Sequence, residues 1–219
     1  MTNQHPLKPI IMIGAGGHAS VLADILLSQG YSIEAFISPD EINQRNIFKG
    51  IQQLRNDSDI EQFQASDVFL VNGIGIVPRS NRRQKIQSYY LDKGYQFISV
   101  VSDKAIVSKF SDVGEACQIF PGAVIQAGVS IGAYSIINTG ALVEHDCQLG
   151  SFNHIAPNAV LCGGVITATD VFVGANATVL PNLHLDKGVI VGAGAVVKDH
   201  LQSNQTAHSA NAFIAPSEL

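Results

Sequence analysis

The chain has few cysteines and few charged residues, and no long apolar run. Its three cysteines are too few for the disulfide framework of a small secreted domain. Charged residues make up 14% of the 219 residues and the net charge is −5, which disfavours a nucleic-acid or anionic-membrane partner. No signal peptide and no apolar stretch of the roughly 18 residues needed to cross a bilayer is present, so we expect a soluble, cytoplasmic protein without membrane insertion. Hydrophobic residues reach 46%, enough to fill the cores of two small domains.

A period of six residues runs through the second half of the chain. From Val101 to Val197 every sixth residue is aliphatic, except Thr167, and no insertion or deletion interrupts the count. The residue two places before each of these is mostly small or β-branched. A hexapeptide β-helix, in which short strands wind round a triangular prism, has this period, whereas an α-helix or a simple alternating strand does not. An ordinary sheet of short strands is the alternative, and it predicts irregular spacing because loops tolerate insertions.

The period also predicts which residues share a side of the prism. Residues two apart in a strand point to one face, so each aliphatic residue and its small partner both point inward. The three residues after each aliphatic form a corner, and three sides complete a coil of eighteen residues. Positions eighteen apart therefore lie above one another. On this map Cys117 and Cys147 are core thiols, and Cys162 lies on a corner.

The first hundred residues alternate strands with helices, which is the pattern of an α/β domain. Helices are predicted over His18–Gln29 and Arg79–Asp92. Four strands are predicted, at Lys8–Gly14, Tyr31–Ser38, Asp67–Asn72 and Tyr95–Val101. The polar segment Asp40–Gln64 is predicted to connect the second and third strands and to hold the least ordered part of the domain. We therefore expect a Rossmann-like domain over residues 1–98, and a β-helix with a C-terminal tail over residues 99–219.

A glycine turn over Gly14–Ala19 matches the dinucleotide fingerprint G-x-G-x-x-G/A between a strand and a helix. Its backbone N–H groups and the helix N-terminus can approach phosphate oxygens. An NAD site is one interpretation, but Ser38 and Pro39 stand where an acidic residue is expected, and the domain has room for only half of a dinucleotide fold. A single nucleotide diphosphate fits better, and a tight turn without ligand is the remaining alternative. His18 either lies beside the phosphate or only caps the helix.

A second glycine pair, at Gly73–Gly75, follows the third predicted strand. Ligands in open α/β sheets bind at this carboxyl end of the strands. Arg79, Arg82 and Arg83 follow and can meet an anion, although arginines on an exposed helix face are more often simply solvated.

One corner departs from the repeat because it carries Glu144, His145 and Asp146 in succession. Asp146 can accept a hydrogen bond from one nitrogen of His145 and leave the other nitrogen as a base, which orients the imidazole and raises its basicity near neutral pH. His154 precedes an inward residue and is predicted to face outward from the next side. Solvated surface histidines are the alternative, and the acid–histidine–acid sequence disfavours it.

Stacking adds small residues to this picture. Gly163 lies eighteen residues after His145, on the same corner one coil along. Ala175 and Ala193 are eighteen apart and share another edge with Pro157. Small corner residues leave backbone N–H groups accessible, and such groups can bind an acyl carbonyl or a pantetheine arm.

Three motifs together resemble those of the bacterial nucleotide-sugar acetyltransferases, within the left-handed β-helix superfamily of hexapeptide acyltransferases. They are the GAGGH turn, the EHD corner with its following histidine, and the Val-Leu-Pro-Asn sequence at residues 179–182. The likeness spans nearly the whole chain. The family includes sialic acid O-acetyltransferases and the N-acetyltransferases of UDP-4-amino-4,6-dideoxy sugars in bacillosamine synthesis, and this chain is most similar to the latter type.

The resemblance implies an acetyl-CoA-dependent enzyme that acetylates the C4 amine of a UDP-linked amino sugar without a metal. It implies a homotrimer with active sites between adjacent prisms, in which His145 is the general base and Asp146 orients it. The residues that it implies for acetyl-CoA binding are His154, Gly163, Ala175 and Ala193. The residues that it implies for the UDP-sugar are Gly16, Gly17, His18, Ser38, Pro39 and Gly73.

Two features depart from the family pattern. Ser38 and Pro39 replace the acidic residues that follow the second strand in the bacillosamine enzymes, which bears on uracil recognition. The tail over Ser209–Pro216 lacks the Pro-Ala-Lys ending common in the superfamily, which bears on coenzyme binding.

Other functions are compatible with the same prism. Acetylation of a sugar hydroxyl, as in sialic acid modification, would use the same residues. A metallo-hydratase needs three imidazoles around one zinc, but the positions stacked on His145 and His154 hold no histidine. A binding or structural solenoid without catalysis is the third alternative, and the glycine turn and the EHD corner disfavour it.

Overall fold

The computed structural model describes residues 8–41 and 45–210, which form an α/β domain followed by a left-handed parallel β-helix. The predicted fold class is confirmed. Residues 211–219, which hold most of the atypical tail, lie outside the described residues. Within the two described ranges, no helix is both long enough and apolar enough to cross a membrane.

The α/β domain contains a four-stranded parallel sheet with the strand order β3-β2-β1-β4. The strands are β1 (Ile10–Ile13), β2 (Ile33–Ile37), β3 (Gln52–Leu54) and β4 (Phe69–Asn72). The helices are α1 (Gly17–Ser28) and α2 (Arg82–Asp92), and two short 3-10 helices cover Asn46–Phe48 and Asp57–Gln62. Strand β1 is an unbroken apolar run and is buried along its whole length, as expected of a central parallel strand.

Three predictions for this domain are wrong in detail. The segment Asp40–Gln64 is more than a connection, because it contains β3, an edge strand whose two glutamines carry almost no strand signal. Helix α2 begins at Arg82 rather than Arg79, because the backbone of Arg79 is left-handed with φ of 65°. The fourth predicted strand is reduced to a single bridge between Leu70 and Phe97, followed by the first strand of the coils.

The β-helix consists of two-residue strands on three faces. Face 1 carries β5 (Val100–Val101), β8 (Gln118–Ile119), β11 (Ile136–Ile137), β14 (His154–Ile155), β17 (Phe172–Val173), β20 (Ile190–Val191) and β22 (Thr206–Ala207). Face 2 carries β6 (Ile106–Val107), β9 (Val124–Ile125), β12 (Leu142–Val143), β15 (Val160–Leu161), β18 (Thr178–Val179) and β21 (Val196–Val197). Face 3 carries β7 (Asp112–Val113), β10 (Ser130–Ile131), β13 (Gln148–Leu149), β16 (Ile166–Thr167) and β19 (His184–Leu185).

The coils stack in register, with each strand paired to the strand eighteen residues before and after it. Ile137, for example, pairs with Ile119 and with Ile155, and all three side chains are fully buried. Each such burial contributes about 1.5–3 kcal/mol. The sixfold series therefore predicts most of the interior of the prism, because its aliphatic members from Ile119 to Val197 form one continuous core, whereas Val107 on the first coil is 37% exposed. Cys117 and Cys147 belong to this core as predicted, and burial raises the pKa of each thiol to about 11.

Most corners turn through a residue with a left-handed backbone, and several of these are asparagine or aspartate. Short polar side chains tolerate this conformation better than other non-glycine residues. The asparagine oxygen Oδ1 then lies over a glycine one coil earlier, at a spot where a Cβ would come within 2.3–2.5 Å of it. The pairs are Asn158 over Gly140, Asn182 over Gly164 and Asn204 over Gly188. This stacking of a short polar side chain on a glycine recurs along the prism.

The one exception in the aliphatic series, Thr167, is satisfied by a second buried polar residue. The Nδ2 of Asn153 donates to the Thr167 hydroxyl at 2.5 Å, and Asn153 Oδ1 accepts the backbone N–H of Val171 at 2.7 Å. Asn153 is completely buried and Thr167 is 3% exposed. Because buried polar groups are costly unless they are hydrogen-bonded, this pair replaces one apolar contact inside the prism without leaving these polar groups unpaired.

The α/β domain packs on face 1 of the prism. Phe120 and Ile136 join the core beneath α1 and β1. Gln29 Nε2 donates to the carbonyl of Val101 at 2.7 Å, and Arg79 Nη2 donates to the hydroxyl of Thr206 at 3.1 Å. The domain therefore covers face 1 from the first coil to the last, and the edge between faces 2 and 3 lies on the opposite side of the prism.

We predict that the Asn153–Thr167 pair behaves as a unit. Thr167→Val leaves a buried amide N–H unpaired and should lower the free energy of unfolding by about 1–3 kcal/mol. The double variant Asn153→Ala, Thr167→Val should cost less than the sum of the two single variants, because the shared hydrogen bond is lost only once. Urea unfolding of the four proteins measures this. Strictly additive losses would contradict the coupling.

Candidate active site

The EHD corner lies on the edge between faces 2 and 3 and carries a hydrogen-bonded pair. His145 Nδ1 and Asp146 Oδ2 are 2.8 Å apart, and the two side chains are 67% and 74% exposed. An ionised carboxylate only accepts, so Nδ1 carries the proton and Nε2 has a free lone pair. The predicted arrangement of a carboxylate behind one nitrogen of an imidazole is therefore present in the fold, with the other nitrogen available as a base.

Asp146 occupies a position that the fold gives to asparagine at other corners. Its backbone is left-handed, with φ of 60°, and its Oδ1 lies over Gly128 one coil earlier. Because Oδ1 packs over Gly128, Oδ2 is the oxygen that accepts the hydrogen bond from His145 Nδ1. Gly128 was not predicted as a site residue. The signal that finds it is its spacing of eighteen residues from Asp146.

Gly163 lies against the imidazole from the next coil. A Cβ at this position would come within 2.6 Å of His145 Nε2 and 2.7 Å of Cε1. The Gly164 N–H donates to the carbonyl of His145 at 2.9 Å, which fixes the two coils relative to each other. Gly163 therefore leaves room for the ring, and its predicted stacking on His145 is present in the structure.

The second cluster is a cleft of about 510 Å³ at the carboxyl ends of the strands of the α/β sheet. It unites all six residues predicted to hold a nucleotide sugar, which are Gly16, Gly17, His18, Ser38, Pro39 and Gly73. Helix α1 begins there without a side-chain cap and without an acidic residue in its first turn, so its N–H groups are available to an anion. Gly16 and Gly17 face open space, whereas a Cβ on Gly73 would meet Ala19 at 2.6 Å. Any larger residue at position 73 would clash with the first turn of α1, so the close packing beneath the glycine turn requires glycine there.

His18 joins this cleft to the β-helix. Its Nε2 lies 2.7 Å from Oε1 of Gln118, and its ring packs on Phe120 with the centroids 5.1 Å apart. Burial lowers the pKa of His18 to about 4, and the positive charge of Arg83 acts in the same direction. The hydrogen bond to Gln118 opposes this shift but does not cancel it. The imidazole is therefore neutral at physiological pH. His18 does not cap the helix, which has no side-chain cap, and it instead contacts the second domain.

His154 points outward from the prism as predicted, but it is covered by the α/β domain rather than solvated. It is 8% exposed because the α/β domain covers face 1, and its ring meets Phe172 edge-on. Asn138 Nδ2 lies 3.1 Å from Nε2, while Nδ1 is sealed from solvent without a hydrogen bond of good geometry. Burial lowers the pKa of His154 to about 4, aided by His18 and Arg83 and partly opposed by the backbone of Ile76.

Arg83 holds the loop after β4 and does not face solvent. Its guanidinium Nη1 donates to the carbonyl of Asn72 at 2.9 Å and to that of Ile74. The residue is 4% exposed, and burial lowers its pKa to about 9, so it remains charged at neutral pH. Arg82 lines the cleft and is the arginine of this group that can meet an anion there.

The predicted site residues fall into three separate places on one chain. His145, Asp146 and Gly163 share the edge between faces 2 and 3. Ala175 and Ala193 stack on the edge between faces 1 and 2, where the Gly194 N–H donates to the carbonyl of Ala175 at 2.8 Å. The cleft is lined by residues of the α/β domain alone, and His154 lies where that domain meets face 1. Among the described residues, no three His, Cys, Asp or Glu side chains approach closely enough to hold a metal.

Comparisons with known proteins find relatives of both domains. Residues 9–90 match the family described as the PglD N-terminal domain. GDP-perosamine N-acetyltransferase of Escherichia coli O157:H7 is 30% identical over 115 residues. The chain spans about half the length of this curated relative and less than half the length of other curated relatives. A structure of perosamine N-acetyltransferase from Caulobacter crescentus with CoA and GDP-perosamine is 31% identical, with 90% of this chain and 92% of that chain covered and a TM-score of 0.81.

A second solved structure extends the likeness. The acetyltransferase domain of PglB from Neisseria gonorrhoeae FA1090, in complex with acetyl coenzyme A, is 26% identical, covers 91% of this chain and 95% of its own, and has a TM-score of 0.82. Both likenesses span the α/β domain and the β-helix together. With its PglD-type N-terminal domain, its hexapeptide prism and its histidine–carboxylate corner, the chain belongs to the PglD-like family of nucleotide-sugar acetyltransferases.

Proposed function

We propose that the protein transfers the acetyl group of acetyl-CoA to an amine of a nucleotide-linked amino sugar. The observation that carries the proposal is the His145–Asp146 pair, 2.8 Å apart, with Nε2 free beside Gly163. The cleft at the carboxyl ends of the α/β sheet, with its glycine turn at a helix N-terminus, supports a nucleotide sugar as the acceptor. The similar perosamine enzyme binds CoA and GDP-perosamine, and the PglB domain binds acetyl coenzyme A, which supports the same two substrates here.

The His145–Asp146 pair supplies the proton chemistry of such a transfer. Acetyl-CoA brings the acetyl group and a thiolate leaving group. As the amine nitrogen bonds to the acetyl carbon and the carbon–sulfur bond breaks, His145 Nε2 accepts the proton that the nitrogen loses, and this proton can then pass to the thiolate. Asp146 stabilises the imidazolium through Nδ1–H. Backbone N–H groups beside the thioester oxygen stabilise the charge that develops there, and no covalent enzyme intermediate is needed.

A single chain does not bring the base to the cleft, because the EHD edge lies opposite face 1. We therefore propose a homotrimer in which His145 of one chain serves the cleft of its neighbour. The outward residues of face 2 support it, because this row is almost entirely apolar and Ile106 and Val196 are 66% and 56% exposed. The row consists of Ile106, Val124, Leu142, Val160, Thr178 and Val196, and the corresponding row on face 3 consists of Asp112, Ser130, Gln148, Ile166 and His184. An exposed apolar row of this kind is typical of an interface.

The same trimer would bring the residues predicted to bind acetyl-CoA together from two neighbouring chains. We propose that Gly163 of one prism and Ala175 and Ala193 of the next line the acetyl-CoA site. Their small side chains leave the backbone N–H groups of the two edges open to the pantetheine arm. His154 lies on face 1, beside the edge that carries Ala175 and Ala193, and we propose that it borders the thioester through its ring, since Asn138 already engages Nε2.

For the acceptor, we propose that Gly16, Gly17 and His18 hold the diphosphate and sugar, and that Ser38, Pro39 and Gly73 border the nucleoside. The finer proposal is the C4 amine of a UDP-linked 4-amino-4,6-dideoxy sugar. A GDP-linked amino sugar is the second candidate, because the GDP-perosamine enzymes are 30–31% identical to the chain and the PglB domain is 26% identical. The lack of an acidic side chain at Ser38 and Pro39 is compatible with either nucleobase, uracil or guanine.

A thiol-release assay with acetyl-CoA tests this function. We expect CoA release with at least one member of a panel of UDP- and GDP-linked amino sugars, and none with the matching sugar that carries a hydroxyl in place of the amine. Mass spectrometry should then find one acetyl group on nitrogen. Acetylation of the hydroxyl sugar alone would favour O-acetylation, and CoA release with neither would overturn the proposal.

His145→Ala should lower kcat by ~10²–10⁴, because the variant lacks the general base. Asp146→Asn should lower kcat by less, because the asparagine can still pack its oxygen over Gly128 but lacks the charge that stabilises the imidazolium. Steady-state kinetics measure both. His184→Ala, which removes an exposed histidine from face 3, is the matched control and should retain full activity. Unchanged turnover in His145→Ala would remove this residue from the mechanism.

Gly163→Ala should lower kcat without unfolding the prism, because its Cβ would come within 2.6 Å of His145 Nε2 and displace the ring. We expect a loss of ~10-fold or more, in line with the cost of misplacing a catalytic group. Thr169→Ala, at an exposed corner of another edge, is the control. If Gly163→Ala has the kcat of the control, the position of the ring does not depend on this contact.

A further inference from the structure

Gln118 ties the two domains together through both ends of its amide. It lies on β8 of face 1 and is 1% exposed. Its Nε2 donates to the backbone carbonyl of Asn72 at 2.7 Å. That carbonyl accepts only, so the amide orientation follows from chemistry, and Oε1 is the end that faces His18 Nε2 at 2.7 Å.

The orientation of Gln118 decides which nitrogen of His18 carries the proton. An amide oxygen cannot donate, so Nε2 must be the protonated nitrogen and Nδ1 must hold the lone pair of the neutral ring. The ring is neutral because burial and the nearby Arg83 both disfavour its charged form. His154 has the opposite tautomer, since Asn138 donates from Nδ2 to its Nε2 while Asn138 Oδ1 accepts the N–H of Thr139 at 2.8 Å.

The free nitrogen of His18 lies beside the cleft. A Cβ on Gly75 would be 3.9 Å from Nδ1, and both Gly75 and His18 line the cleft. Within the described residues, no hydrogen-bond partner is found for Nδ1. Nδ1 is open to the cleft rather than sealed inside the protein, so a ligand O–H or N–H can reach its lone pair and donate to it.

The sheet order indicates which part of a ligand lies there. The ends of β2, β1 and β4 follow one another along the carboxyl edge, and they carry Ser38, the turn at Gly16–Gly17 and the loop at Gly73–Gly75, respectively. A nucleoside at the β2 end and a diphosphate on the α1 N-terminus put the group beyond the diphosphate at the β4 end. That group is the sugar, and His18 lies next to it.

We propose that Gln118 is a positioning residue that fixes His18 as the Nε2–H tautomer, and that His18 Nδ1 accepts a hydrogen bond from a hydroxyl of the nucleotide-linked sugar. The second half of this inference rests on the proposed function, and the first half does not. A purely structural role for Gln118 would require only that it join the domains.

The tautomer is measured on the protein without ligand. In a long-range ¹H–¹⁵N spectrum of ¹⁵N-histidine-labelled protein, His18 should have a protonated Nε2 and an unprotonated Nδ1, and it should not titrate between pH 5.5 and 8. The His18→Asn variant assigns the signal. In Gln118→Leu the signal should change to a mixture of tautomers or titrate, and in Gln118→Glu, which keeps an acceptor, Nε2 should stay protonated. Gln148→Leu, at the same strand position on face 3, is the matched control and should leave the signal unchanged.

The ligand half is tested by binding and kinetics. Calorimetry of UDP and GDP at pH 7, in buffers of different ionisation enthalpy, should find no proton uptake, and Gln118→Leu should bind these diphosphates as the wild type does. The KM for the nucleotide sugar should rise about tenfold in Gln118→Leu with little change in kcat or in the KM for acetyl-CoA, and Gln118→Glu should recover part of this loss.

Several outcomes overturn the inference. A His18 ring protonated at Nδ1 rules out the tautomer, and uptake of one proton with UDP or GDP means that His18 donates to the diphosphate instead. An unchanged KM in Gln118→Leu, with the tautomer lost, removes the sugar contact. Failure of acetyl transfer with every amino sugar would instead contradict the proposed function, and the tautomer measurement would remain valid. Calorimetry of the wild type and Gln118→Leu with the same sugar nucleotides would then test the contact between His18 and the sugar.

Discussion

The hydrogen-bonded stacking of coils at a constant spacing of eighteen residues is the constraint on which the rest of the structure depends. Each strand pairs in register with its neighbours on the coils before and after, so a residue lies directly above the one eighteen places earlier. This alignment brings Gly163 against the ring of His145 and Gly128 beneath Asp146. It also puts Asn153 close enough to Thr167 to satisfy both inside the core. Neighbouring coils thus supply the surroundings of each other's side chains, and the backbone ladder sets the geometry of the His145–Asp146 pair more than its local sequence does.

The candidate site residues lie in regions that one chain keeps apart. The edge that carries His145 lies opposite the face on which the α/β domain packs, and the cleft at the glycine turn lies within that domain and contacts the prism through His18. The interface on face 1 is polar as well as apolar, with His18, Gln118, Asn72 and Arg83 in one connected group. Because these contacts fix the loop after β4 and the first turn of α1 together, the cleft is shaped by the β-helix as well as by its own domain.

The sequence alone predicted the parts of the structure that repeat. The sixfold series predicted the interior of the prism, and spacing by eighteen predicted that Gly163 stacks on His145. It did not predict the burial of His154, because an outward position on a strand says nothing about what a separate domain covers. Gln118 was missed for the same reason, since a polar outward residue has no meaning until its partner across the interface is known. Strand β3 was missed because two glutamines at a sheet edge are held there by backbone pairing rather than by their side chains.

The left-handed corner has a consequence for how such a histidine–carboxylate pair arises. Only a few residue types fit that backbone at low cost, and asparagine is the commonest residue at the left-handed corners that lack glycine. Where a histidine precedes such a corner, as His145 precedes Asp146, exchanging the amide nitrogen of an asparagine for oxygen turns an architectural corner into the anionic partner of an imidazole, with no change in chain path or side-chain shape. The asparagine corners at residues 158, 176, 182 and 204 follow proline, alanine, proline and serine, so each of them is two substitutions away from such a pair.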